Sequence, residues 1–306
     1  MARVWLRSRM WPLRRPIAVL LVLCCVTPAL AGETGRRRVV EHQWRLAKVT
    51  RVFVVILENT DADVAERLPF VTRLAARGAQ LQNYHGLTHP SQPNYIALIS
   101  GSTHGVAGSE PVTIDARHLG DLLERIGLTW KVYAENYPGN CFLGQIWGTV
   151  AEGQYVRRHV PFLSFRNVQQ NFARCNEHIV NAAVLDGDIA SGALPTFSFY
   201  VPDNLHNGHD SGPAVADAWL EGRFGSLLLD SRFMDGTLFI LTYDESLSTN
   251  DSRVATLFLG AMVKRTVVPF NRYDHFSLLH TIENVLGLGT LERSDAAASL
   301  ITGIWN

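Results

Sequence analysis

The chain has 306 residues, 47 % of them hydrophobic and 18 % charged, with 28 basic side chains against 28 acidic ones. That composition supplies one large core and excludes a disordered, collagen-like or coiled-coil chain. The balanced charge gives no support for a nucleic-acid partner.

Residues 1–31 read as an export signal, with a positive segment (Arg3, Arg7, Arg9, Arg14, Arg15), an apolar core from Ile17 to Val26 and the small-residue cleavage site Ala29-Leu30-Ala31. The apolar run is too short to span a bilayer comfortably. Cleavage removes five arginines and no acids, leaving 23 basic against 28 acidic residues, a net charge of −5. Residues 32–50, with Arg36-Arg37-Arg38, read as a solvated, flexible tail. Cys24 and Cys25 leave with the signal, so Cys141 and Cys175 remain as one pair, readily oxidised outside the cytoplasm.

The first strand is the apolar run Val52–Leu57, which ends in Glu58-Asn59. A helix is predicted over Pro69–Ala76. Ser91 then stands between Pro90 and Pro93, just before the apolar run Ile96–Gly101. Pro93 suits the first turn of a helix, which places Ser91 on a constrained turn, hydroxyl exposed, beside free backbone N–H groups that favour an anion. A helix over Leu119–Ile126 and a strand over Thr129–Ala134 follow. The stretch from Gly139 to Asn176 has no periodicity and many aromatic and arginine residues, including Arg157, Arg158 and His159, and reads as an inserted lid-like segment at about 139–176.

A strand at Pro195–Val201 runs into Asp203, His206, His209 and Asp210, where Gly208 permits a turn that aims both imidazoles inward. His209, beside that glycine, is the expected functional histidine, and His206 a solvated one. An amphipathic helix is predicted over Ala214–Leu229 with Trp219 and Leu220 inward. The strand Thr237–Tyr243 ends in Asp244-Glu245, and a further strand (Ala255–Met262) and a helix (His275–Leu286) close the chain.

Alternating strands and helices predict an α/β fold, a three-layer α/β/α sandwich with a mostly parallel central sheet, as one domain over 51–306. Ligands gather at the carboxyl ends of such strands, so Glu58, Asn59, Ser91, Asp244 and Glu245 should meet on one edge. Packed carboxylates repel unless a cation lies between them, and hard oxygen donors point to a divalent metal.

Five ordered segments carry a resemblance: Glu58-Asn59-Thr60-Asp61, Asn83-Tyr84, Thr88 to Tyr95, Gly208-His209-Asp210, and Thr242 to Glu245. Tyr133 to Gly139, Arg158 to Phe162 and Tyr273 to Ser277 extend it over nearly all of residues 50–300. The chain resembles the phosphoesterase family that contains secreted acid phosphatases and bacterial phospholipases C, itself similar to the alkaline phosphatase-like superfamily. Thr60-Asp61-Ala62-Asp63 matches the acid phosphatase branch.

The resemblance implies Ser91 as nucleophile and His209 as a catalytic histidine. It implies Glu58, Asn59, Ser91, Asp244 and Glu245 as ligands of one divalent metal. Asp203, Asp210 and His275 are candidates for a second metal or a phosphate contact. It also implies a Cys141–Cys175 disulfide. His89 is expected to hold the turn beside Ser91, and His280 to be a core residue. The expected protein is a secreted or periplasmic, metal-dependent phosphomonoesterase with a phosphate ester substrate and no membrane anchor after cleavage. The alternatives are a phospholipase C-type phosphodiesterase and a catalytically silent binding protein on the same fold.

Overall fold

The computed structural model describes residues 49–306. The expected signal, and the expected tail up to residue 48, lie outside the described residues. The strands are β1 (Arg51–Leu57), β2 (Ala79–Leu81), β3 (Tyr84–His85), β4 (Trp130–Ala134), β5 (Ile146–Trp147), β6 (Tyr155–Val156), β7 (Ile179–Asn181), β8 (Phe197–Val201), β9 (Thr237–Tyr243), β10 (Thr256–Leu259) and β11 (Tyr273–Asp274). Seven of them form one sheet in the order β2-β10-β9-β1-β8-β4-β7. The neighbours from β9 to β7 in that order are all parallel. Only β10 runs antiparallel, to β9 on one side and β2 on the other. Two-residue pairings β3–β11 and β5–β6 stand apart from this sheet.

Central strands covered on both faces must be largely apolar, and they are: every residue of β8 and β9, and all of β1 after Arg51, is buried, with Ser198, Thr237 and Thr242 the polar exceptions. Phe53 is the hub of one face, with Tyr133, Tyr200, Phe224, Phe233 and Phe239 at ring-centroid distances of 5.1–6.4 Å. Truncating it to alanine would cost about 3–5 kcal/mol. The helix Pro213–Phe224 packs on Pro69–Ala75, and Ser91–Ser100 packs on His275–Leu286. Asp217 locks the first pair, because its two oxygens accept from the Phe70 and Val71 N–H groups that open their helix. The result is the expected α/β/α sandwich.

Two expectations are trimmed. The helix predicted over 214–229 ends at Phe224, and Leu227–Leu229 forms a separate 3₁₀ turn. The strand predicted over 255–262 stops at Leu259, where Gly260 takes φ 149°. The segment 139–176 holds the β5–β6 hairpin, several single-turn helices and the helix Phe172–His178. The Cys141–Cys175 disulfide ties it together.

Candidate active site

Register places the acids. In the β1–β9 pair Leu57 lies opposite Tyr243, so Glu58 and Asp244 leave the sheet side by side. The Asp244 N–H donates to Leu57 O at 3.0 Å, and the Asn59 N–H donates to Asp244 Oδ1 at 3.1 Å. Ser91 is the first residue of the helix Ser91–Ser100, whose amino end carries no side-chain cap. Asn94 fixes the approach to that helix: its Oδ1 accepts from the Leu87 and Thr88 N–H groups, and its Nδ2 donates to Thr88 O at 2.6 Å.

The five expected ligands meet. Ser91 Oγ lies 3.0 Å from Glu58 Oε2, 3.0 Å from Glu245 Oε1 and 3.3 Å from Asn59 Oδ1. Asn59 Nδ2 donates to Glu245 Oε1 at 3.0 Å. The expectation of an exposed hydroxyl is corrected, since Ser91 is only 6 % exposed. The turn presents it into the acid cluster rather than to open solvent.

The cluster is electrostatically unbalanced. Burial, then the charges of Glu58 and Glu245, raise the Asp244 carboxyl well above its usual range. Burial raises Glu245 to about 7, against the hydrogen bonds from Ser91 and Asn59. Glu58 Oε1 and Asp244 Oδ2 are buried without a hydrogen-bond partner. Buried polar atoms are normally paired, and oxygens left bare beside other carboxylates fit a cation. An all-oxygen set of Glu58, Asn59, Ser91, Asp244 and Glu245 suits a hard divalent ion.

The histidines divide differently from expectation. His89 does not brace the turn, a task Asn94 performs; its Nδ1 pairs with Glu245 Oε2 at 2.8 Å. His275 is not free to ligate. Its Nε2 bonds Asp244 O at 2.6 Å and its Nδ1 the Tyr84 hydroxyl at 2.9 Å, so it positions the Asp244 main chain. His280 bonds Ala298 O at 2.7 Å and is half-buried.

His209 follows Gly208, which takes φ +96°, and its Nδ1 lies 2.7 Å from Asp210 Oδ1. Both are exposed, so the expectation that the turn at Gly208 aims the imidazole of His209 inward is corrected. His159, which lies in the segment 139–176, is a residue of this cluster that sequence reasoning missed. It is buried, stacked on Tyr95, with Nε2 3.0 Å from Glu58 Oε1 but outside hydrogen-bond alignment. Burial pushes it down to about 4, opposed by Glu58 and reinforced by Arg158, so the imidazole is neutral. Its signal was in view in the Arg158 to Phe162 segment.

Asp203 lies elsewhere. With Glu135 and His206 it forms a second acid–histidine group at the ends of β4 and β8. Glu135 accepts from the Tyr200 hydroxyl, Trp219 Nε1, the Asp203 N–H and His206 Nδ1. Asp203 accepts from the Leu205 and His206 N–H groups and from Asn136 Nδ2. Hydrogen bonds to Asp203 and Glu135 raise His206 to about 10. His206 is therefore not merely solvated, and Glu135, Asp203 and His206 each offer a ligand atom within 4.8 Å of the others, so Asp203 keeps its place as a candidate for a second metal.

The phosphoesterase family profile matches residues 62–289, about three quarters of the chain. The chain belongs to the phosphoesterase family. Ser91, His209, Asp244 and Glu245 fall within the match, while Glu58 and Asn59 precede it. This family member is 31 % identical to a probable acid phosphatase of Kluyveromyces lactis over 85 % of its own length and 63 % of the relative's. It is likewise 31 % identical to a phosphatidylinositol-3-phosphatase of Mycobacterium tuberculosis, covering 82 % of each chain. It spans about three fifths of the length of the acid phosphatases it matches. A protein of the alkaline phosphatase superfamily from Vibrio parahaemolyticus shares the fold at TM-score 0.58 and 12 % identity, over 81 % of this chain and 69 % of that one.

Proposed function

We propose that this phosphoesterase is a metal-dependent phosphomonoesterase of the acid phosphatase kind, with Ser91 as its nucleophile. The observation that carries the reading is the Ser91 hydroxyl, held at the bare end of a helix against three oxygen acceptors, two of them carboxylates. The family and its acid phosphatase relatives support phosphoric ester hydrolysis. A silent binding protein has no need of bare carboxylate oxygens beside a serine.

Glu58, Asn59, Ser91, Asp244 and Glu245 would hold the divalent ion, which when bound lowers the pKa of the hydroxyl and offsets phosphate charge. Ser91 Oγ attacks phosphorus in line as its proton passes to a neighbouring carboxylate, Glu58 or Glu245. The bond from phosphorus to the ester oxygen breaks, and the leaving alcohol takes a proton delivered by His209. The N–H groups at the start of the Ser91–Ser100 helix favour the phosphate oxygens. Water then hydrolyses the phosphoserine by the reverse path, restoring Ser91.

The same reading places the protein in an exported compartment, where the Cys141–Cys175 disulfide is stable. Among the described residues no helix is long and apolar enough to cross a membrane. The segment 139–176 is read as a lid, because His159 enters the site from it. The test compares p-nitrophenyl phosphate, bis-p-nitrophenyl phosphate and phosphatidylcholine, each with and without chelator. Chelator-sensitive preference for the monoester is expected. A diester preference would move the assignment to the phospholipase C branch.

A further inference from the structure

Arg157 and Arg158 are adjacent in sequence and opposite in surroundings. Arg157 is buried, and its guanidinium donates to Leu143 O at 2.9 Å, Leu163 O at 2.8 Å and Val112 O at 3.3 Å. It holds the segment 139–176 to the body. Arg158 is half-buried and, among the described residues, has neither an ion pair nor a side-chain hydrogen bond. A guanidinium keeps its charge at any working pH, and partial burial without a counter-charge is unfavourable until an anion joins it.

Arg158 lines a cavity of about 120 Å³ together with Gln92, Glu110, Gln145, Arg157 and Ser164. The polar groups around it are largely committed. Gln92 Nε2 donates to Glu110 O at 2.9 Å, and Gln145 Nε2 to Glu110 Oε2 at 2.8 Å, which turns the one acid of the cavity toward an amide. Two of its lining residues are chain neighbours of residues in the Ser91 cluster. Gln92 is the residue after Ser91, and Arg158 the residue before His159, whose ring stands 3.0 Å from Glu58 Oε1.

We propose that this cavity is a leaving-group subsite, in which Arg158 binds a second anionic group carried by the alcohol of the phosphate monoester. The proposal rests on the phosphomonoesterase reading and narrows its substrate class to monoesters of alcohols that bear a carboxylate or a further phosphate. A bidentate guanidinium contact to either anion is the chemistry that would recognise them.

The test measures kcat/KM of the full chain for glycerol 3-phosphate, 3-phosphoglycerate and glycerol 1,3-bisphosphate, in the parent and in Arg158→Gln and Arg158→Lys. The preference for the anionic esters over glycerol 3-phosphate should fall about tenfold in R158Q, the worth of one charge-assisted hydrogen bond, and partly persist in R158K. Loss for the bisphosphate alone would restrict the subsite to phosphate, and loss for phosphoglycerate alone to carboxylate. An unchanged ratio in R158Q overturns the proposal.

Calorimetric binding of 4-phosphonobutyrate and butylphosphonate reads the subsite without turnover. The carboxylate should bind about tenfold tighter relative to its neutral partner in the parent than in R158Q. Hydrolysis of none of the esters would sink the phosphomonoesterase reading, and the calorimetric ratio would still decide the subsite. Equal ratios there would overturn it.

Discussion

Two acid–histidine clusters stand at the carboxyl edge of the same sheet, and they differ in what their oxygens are bonded to. Around Glu135, Asp203 and His206 both carboxylates accept from neighbouring donors, and a protonated imidazole offsets one of their two charges. Around Ser91, Glu58 Oε1 and Asp244 Oδ2 are buried and bare, and burial raises the Asp244 carboxyl well above its usual range. Residue type does not separate the two groups; hydrogen-bond satisfaction does. A satisfied cluster stabilises a fold, whereas an unsatisfied one costs stability and needs a ligand to complete it.

The comparison breaks most directly at Ser91. Ser91→Ala should lower kcat by about 10³-fold or more while leaving the melting temperature within a few degrees, because one hydroxyl is lost from a turn that Asn94 holds. Activity within tenfold of the parent would remove Ser91 from the chemistry.

The second break is the metal. Prolonged chelation should inactivate the protein, and Asp244→Asn should lower bound divalent metal, measured by elemental analysis, with about 10²-fold less activity. One anionic donor fewer weakens a hard-cation site. A fully active, metal-free preparation would leave the two bare oxygens without an explanation.

His206→Ala tests the other half of the comparison. It leaves Glu135 and Asp203 facing each other without their cation, and should cost roughly 2 kcal/mol of stability, a few degrees in melting temperature, with kcat nearly intact. If kcat collapsed while the fold held, the Glu135 group would be part of the active machinery, and satisfaction would not be the dividing rule.

These contrasts explain how much was legible in the chain. The strand ends were, because a continuous apolar run that stops at Glu58 or Asp244 specifies both the strand and the edge residue. Ser91 was also legible, since two prolines and an apolar run announce a helix start. His159 was not, because its role depends on a non-periodic segment folding back across the sheet. Nor were the opposite fates of Arg157 and Arg158, which follow from which carbonyls lie within reach. His275 looked like a ligand, and only the contact with Asp244 O shows that its nitrogens are occupied. Sequence carries residue type and local period, while satisfaction is a property of long-range neighbours.

A third acid sharpens the rule from the opposite side. Glu283, on the helix His275–Leu286, is buried with both oxygens bare, where Glu58 has one, and no serine or histidine is bonded to it. Burial first, and then the charge of Asp295, push its carboxyl up to about 9. Asp295 is itself held by the Leu291 and Arg293 N–H groups. Bare oxygens here mean a neutral carboxyl, not a cation site. The folded-state pKa lies above the ordinary 4.5, so the folded chain keeps a proton that the unfolded chain releases. The resulting stability is fully present below about pH 4.5 and is lost as pH rises toward 9. Glu283→Gln keeps the shape without the proton, so its melting temperature should fall less than the parent's between pH 5 and pH 8. Asp244 and Glu245 titrate in both proteins and cancel from that difference. Identical slopes would mean that Glu283 is charged in the fold, and that a bare buried carboxylate can persist here without either a proton or an ion.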